Sequence, residues 1–192
     1  MDESKQYKQY GESKEKPEEC VKDVIRRIVK VQEEAEDRCA TSCENSIRQL
    51  RKPSAVNPSH TTIPFILYCA DTCKPFMGSG VFQAPLDKKE DTFFGSIETP
   101  IFRAKRFVKG SDNCLQLELL LPVTESRDIL MPELEDDSGT IAPFFPTDDL
   151  VIDFQATGIC IIVNLDHFLG ITCLDPITPI PFEEAPESHN TD

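Results

Sequence analysis

CLQLELLL, residues 114–121, sets Leu115, Leu117, Leu119 and Leu121 on alternate positions, with Gln116 and Glu118 between them. A period of two sends successive side chains to opposite faces of an extended chain, so this run predicts a half-buried β-strand. Runs of similar character surround it. Ile63–Cys69 (IPFILYC) and Pro75–Phe82 predict a hairpin, with Pro64 marking an edge position or the first turn of its strand. Pro100–Val108 predicts a further strand. Leu150–Ala156 and Ile159–Leu165, divided by Thr157-Gly158, predict a second hairpin, and Phe168–Leu174 a last strand. Short strands joined at Gly and Pro give a mainly β fold class: an antiparallel sandwich or barrel-like domain preceded by one amphipathic α-helix.

That helix lies near the start of the chain. Residues 1–16 are polar and charged, and are expected to form a disordered arm. Pro17 with Glu18 and Glu19 suits a helix start, where proline loses no hydrogen bond and the dipole favours acids. Val21, Val24, Ile25, Ile28, Val31 and Ala35 then recur at three- and four-residue steps, which predicts a helix to about Arg38. Cys39 continues its apolar face, Cys43 follows a turn later, and residues 44–50 are expected to add a short helical turn before Pro53. The expected organisation is an arm (1–16), a helical segment (17–52), a β domain (53–175) and a Pro-rich acidic tail (176–192). The acidic stretch 124–147 is expected to be a long loop.

The net charge of −14 is unevenly spread. Residues 111–192 hold 17 acidic residues against one basic residue, Arg127, whereas residues 1–110 hold 17 acidic and 19 basic. Phosphate backbones repel such a chain, so nucleic acid is not expected as a partner. No apolar run approaches the ~18 residues of a membrane helix, so no membrane span is expected. The acidic half either forms a solvated surface or makes a head-to-tail contact with a basic strip at Arg103, Lys105, Arg106 and Lys109.

Eight cysteines are the chemical puzzle: Cys20, Cys39, Cys43, Cys69, Cys73, Cys114, Cys160 and Cys173. The opening residues MDESKQYKQYGESKEKPEE lack the apolar core of an export signal, so synthesis inside the cell is expected. Three readings compete. The C-x3-C pairs Cys39/Cys43 and Cys69/Cys73 could supply four thiolates to a structural zinc in a protein-binding adaptor. The thiols could instead be buried and inert. Or they could join neighbouring chains covalently once the surroundings turn oxidising. Cysteines spread over helix and strands, in a chain able to build its own core, favour the third reading.

Catalytic patterns are sparse. Only His60, His167 and His189 occur, and no G-x-S-x-G, H-E-x-x-H or phosphate-binding loop is present. A nucleophilic pairing of His167 with Cys160 or Cys173 is the one thiol candidate, and a surface or packed histidine the plainer reading. Asp136-Asp137 and Asp148-Asp149 resemble calcium ligands only loosely, because the alternating acids and glycine of an EF-hand are missing. No enzyme activity, metal or cofactor is expected. Val24 and Ile28 on the helix, with Arg103 and Arg106 on the basic strip, are the candidate assembly contacts.

The run ECVKDVIRRIVKVQEEAEDRCATSC (19–43) resembles the leading helix and cysteine cluster of the spore coat Y/Z and exosporium Y protein family. TIPFILY (62–68), PIFRAKRFVKGSDNCLQLELL (100–120) and GICIIVNLDHFLGITCL (158–174) resemble its later blocks in order and spacing. The resemblance implies a non-enzymatic structural protein of the outer spore layers, made in the mother-cell cytoplasm. It further implies self-assembly into arrays of ring-like, commonly hexameric, oligomers reinforced by intersubunit disulfides, with other coat or exosporium proteins as partners. Where the family has a Cys-Phe-Cys triplet, this chain has His167-Phe168-Leu169, so fewer covalent links are expected here.

Overall fold

The computed structural model describes residues 21–34, 41–52, 60–86, 92–132 and 139–181. The chain divides into two units, Met1–Cys39 and Ala40–Asp192. In the first, helix α1 (Val21–Glu34) carries Asp23 in its first turn, and Arg26 pairs with it at 3.1 Å. An acid there opposes the positive end of the helix dipole. The expected continuation to Arg38 lies outside the described residues. No described helix is long and apolar enough to cross a membrane.

The second unit opens with helix α2 (Cys43–Arg51). Ser42 caps it: its Oγ accepts the Asn45 N–H at 3.1 Å, and its carbonyl accepts from Ser46 Oγ at 3.0 Å. Seven strands follow, β1 (Phe65–Cys69), β2 (Gly78–Pro85), β3 (Thr92–Thr99), β4 (Phe102–Phe107), β5 (Cys114–Thr124), β6 (Val151–Asn164) and β7 (Phe168–Cys173). Five of them form one antiparallel sheet in the order β6-β5-β4-β1-β7, and β2 and β3 form a separate two-stranded sheet. The fold is mainly β and sandwich-like, without a closed barrel.

β5 organises the larger sheet. Its odd leucines, Leu115, Leu117, Leu119 and Leu121, meet Phe65, Leu67, Phe102 and Ile97 in one core cluster. The β2–β3 hairpin covers this face with its backbone. Gly78 stands so close that an added Cβ would lie 2.5 Å from the Phe102 ring and 2.9 Å from Leu119. A side chain there would push the two sheets apart. The opposite face of β5 buries Leu120 with Ile66, Ile101, Phe144, Phe154 and Ala156. Complete burial of a residue such as Leu117 or Phe102 is worth about 1.5–3 kcal/mol each.

The connection from β6 to β7 shapes the sheet. These strands occupy opposite edges, yet only Leu165–His167 separate them. Four flat strand spacings measure about 19 Å, whereas so short a link reaches at most about 14 Å. The sheet therefore curls around the leucine cluster. Leu165 N–H donates to Asn113 and Ala70 N–H to His167, tying the crossing to the ends of β5 and β1.

Three expectations change. Pro75–Phe82 does not run as the hairpin partner of β1. Only Tyr68 bridges to Pro75, while β1 pairs with β4 and β7. The true partner of β2 is TFFGSIET, whose inward Gly95 and Ile97 seat Phe82 and the core. Thr157-Gly158 does not end a hairpin but forms a bulge inside one 14-residue strand, with Gly158 at φ 71°. Part of the stretch expected as a loop enters the core, because Phe144 is completely buried within a 3-10 turn, Ala142–Phe144. Beyond β7 the chain remains extended, with Ile177 bridged to Thr62 and Ile180 to Gln155.

Candidate functional site

Among the described residues, the second face of the large sheet is only half covered. Around Leu120 and Phe154 it is roofed by Phe144, Phe145 and Ile177. Toward the Cys114 end of β5, among the described residues, no such roof exists. Directly opposed residues share a face, and register places two rows there: Arg103–Glu118–Cys160 and Arg106–Gln116–Ile162. Ile162 is 63% exposed, and Cys160 is exposed beside it.

Glu118 anchors the first row. Its side chain is only 4% exposed and meets Arg103 Nη2 at 2.7 Å and Lys105 Nζ at 2.9 Å. Arg103 Nε donates to the same oxygen, Oε2, at 2.8 Å. Oε1 accepts the Gly158 N–H at 3.1 Å. Burial pushes the Glu118 carboxyl up, but the bonds from Lys105, Arg103 and Gly158 and the Arg103 charge outweigh it and hold the group below its ordinary value. Thr157 completes the bulge by donating to the Leu119 carbonyl at 2.8 Å and accepting from Ile159 N–H at 3.1 Å. In the second row, Arg106 Nε donates to Gln116 Oε1 at 2.9 Å. Of the candidate contacts, Arg103 is thus turned inward onto Glu118, whereas Arg106 remains exposed.

The cysteines fall into distinct settings. Cys43, at the start of α2, forms a disulfide with Cys173 at the end of β7, closing a sequence separation of 130 with a Cα–Cα distance of 4.8 Å. This bond staples α2 to the β domain within one chain. It also removes Cys43 from the four-thiolate set that the zinc reading requires. Cys69 and Cys73 flank the turn after β1, where Cys73 N–H donates to the Cys69 carbonyl at 3.0 Å and Cys73 takes φ 56°. Cys114 is half-buried, while Cys73 and Cys160 are exposed, and all four of these thiols are free. Cys20 and Cys39 lie outside the described residues.

Of the thiols weighed as nucleophilic partners of His167, neither is hydrogen-bonded to it among the described residues. Cys173 is spent in the disulfide, and His167 instead borders a crevice shared with Cys69, Asp71 and Phe76. Of the acid pairs, Asp136-Asp137 lies outside the described residues, while Asp149 accepts the Ser126 N–H at 3.3 Å. Val24 and Ile28 are both exposed on α1, where with Val31 they line a shallow groove. The buried ion-paired Glu118 was not singled out by the sequence, which offered only its place between leucines.

What these features define is a mainly β protein with an N-terminal helix and, among the described residues, an internal disulfide, several free thiols and a half-bare sheet face. Residues 8–176 match the family described as Spore coat protein Z. Spore coat protein Z of Bacillus subtilis (strain 168) is 28% identical over 165 residues, covering 84% of this chain and 93% of that protein. The chain belongs to the spore coat protein Z family. No solved structure matches it.

Proposed function

We propose that this chain is a structural protein of the outer spore layers, which self-assembles into a two-dimensional lattice in the coat crust or the exosporium basal layer. The family match over residues 8–176 carries this reading. Copies form ring-like oligomers, commonly hexamers, that pack into an array and anchor other coat or exosporium proteins. The lattice is first built by non-covalent contacts while the thiols are reduced, in the mother-cell cytoplasm.

Disulfides then reinforce it. Support comes from the division of labour among the cysteines. Cys43 and Cys173 are satisfied within the chain, whereas Cys73 and Cys160 present free sulfur at the surface. Exposed thiols on copies held side by side gain a high effective concentration, which favours cross-linking after release into oxidising surroundings. Assemblies of the purified protein, compared with and without reductant on non-reducing gels and by resistance to heat, test this step. The expected result is oxidised ladders that outlast the reduced assembly on heating. Identical behaviour in both conditions, with all free thiols open to alkylation, would remove cross-linking from the account.

A further inference from the structure

We infer that the bare half of the sheet face is a docking surface for a second copy of this chain, and that it receives the acidic end of that copy's β5–β6 hairpin. The inference rests on the proposed self-assembly and assigns it a pair of unlike surfaces. The bare half carries Arg103, Lys105, Arg106 and Lys109; Glu118 pairs with the first two, which leaves Arg106 and Lys109 as its cations outside that ion-pair cluster. Asp112 in the adjoining turn and Asp166, which accepts from Asn113 Nδ2 at 2.9 Å, are the acids at the same end, so the positive excess there is small and centred on Arg106 and Lys109. Arg106, Lys109, Gln116 and Ile162 border a groove of about 340 Å³, in which Ile162 is the exposed apolar residue of that face. Apolar surface ringed by like charge is a poor thing to leave in water and a good seat for a partner of opposite charge.

The complementary surface lies at the other end of the same hairpin, ten residues along β5, or about 33 Å. There the turn after Thr124 folds against residues 149–150: Ser126 N–H donates to Asp149 at 3.3 Å, and Glu125 N–H to the Leu150 carbonyl at 2.9 Å. Glu125, Asp128, Asp148 and Asp149 belong to the segments joined there, with exposed Leu150 beside them, and Arg127 is the one basic residue of the sequence from 111 to 192. None of these four acids forms an ion pair among the described residues. Each end therefore combines apolar surface with an excess of one sign of charge, and the signs are opposite. Two such surfaces on one chain cannot meet on that chain across 33 Å, but they can meet head-to-tail between copies. Contacts of that kind close into rings or run on as open chains.

Charge exchange provides the test, read by light scattering and sedimentation of the full-length protein at low and high salt. R106E/K109E and D148K/D149K should each raise the concentration needed for assembly by about tenfold or more. The protein carrying all four substitutions should recover near wild-type assembly, because both ends have changed sign. Wild-type assembly should weaken as salt rises from about 50 to 500 mM. Single-end variants that assemble like wild type, or a fourfold variant that stays as weak as either, would overturn the inference while leaving self-assembly intact. Deletion of residues 182–192, which carry acids of their own, should not reproduce the D148K/D149K defect. If it does, the tail is the occupant and the inference fails. A wild-type protein that never assembles overturns both the docking surface and the lattice.

Discussion

The Glu118 carboxylate accepts the backbone N–H of Gly158 at 3.1 Å, joining the middle of β5 to the bulge of its neighbouring strand. The same carboxylate holds Arg103 and Lys105 on the other side. One side chain therefore links three strands across the surface proposed to receive a second copy. A buried ion pair is not by itself strong support for stability, but removing one partner leaves uncompensated charge and an orphaned donor. Glu118→Leu should destabilise the protein by about 3–5 kcal/mol, whereas Glu118→Gln, which can still accept from Gly158, should cost less. Urea unfolding of the two variants measures the difference. Equal and small losses would show that the carboxylate does not hold the bulge.

Acid should act through the same group. The folded-state pKa of Glu118 lies below its ordinary value of 4.5. Its contribution to stability is therefore fully present above that ordinary value, and is lost as pH falls from there through the lowered folded value. Wild type should lose stability over that interval more steeply than Glu118→Gln, in which this titration is absent. Urea midpoints from pH 7 down to the acid limit of folding check this, and parallel curves would contradict it.

Both the hydrophobic alternation and its failures have physical causes. Leu115, Leu117, Leu119 and Leu121 made β5 legible, because one face of the strand meets the core while Gln116 and Glu118 turn away. The alternation also concealed something, since Glu118 reads as a solvent-facing acid and is instead buried by cations from β4, a long-range pairing that local pattern does not encode. Thr157-Gly158 reads as a turn. A glycine at positive φ serves a bulge equally well when Thr157 supplies the missing hydrogen bonds. Strand TFFGSIET was missed because Gly95 interrupts its apolar run, and the reason for that glycine is Phe82 on the partner strand. Among the cysteines, spacing drew attention to the C-x3-C pairs, but the bond forms between Cys43 and Cys173, 130 residues apart. Only the fold brings those two together.

Removing that disulfide should be costly because it closes so long a loop. Cys43→Ser and Cys173→Ser should each lower stability by about 2–5 kcal/mol, and the double variant should lose no more than the larger single loss, since the two residues act as one unit. Reductant should bring wild type to the same level and leave the variants unchanged. Denaturant unfolding with and without reductant checks all three statements, and additive single losses would contradict a shared bond.

Cys160 should be the more reactive of the two free thiols on the β5–β6 pair. It is exposed on an edge strand, whereas Cys114 is half-buried and its backbone N–H is tied to Ser111 Oγ at 2.9 Å. Alkylation followed by peptide mass spectrometry should label Cys160 first, and Cys160→Ser should reduce interchain disulfides on non-reducing gels while leaving the reduced assembly intact. Faster labelling of Cys114, or undiminished ladders in Cys160→Ser, would assign the cross-link elsewhere.

The lattice itself is most directly tested by electron microscopy of the purified full-length protein, concentrated in the presence of reductant. Ordered two-dimensional arrays of ring-like oligomers should form before any interchain disulfide does, and subsequent oxidation should harden them against heat. A protein that stays monomeric and free of arrays at high concentration, in both reducing and oxidising buffer, would contradict the account.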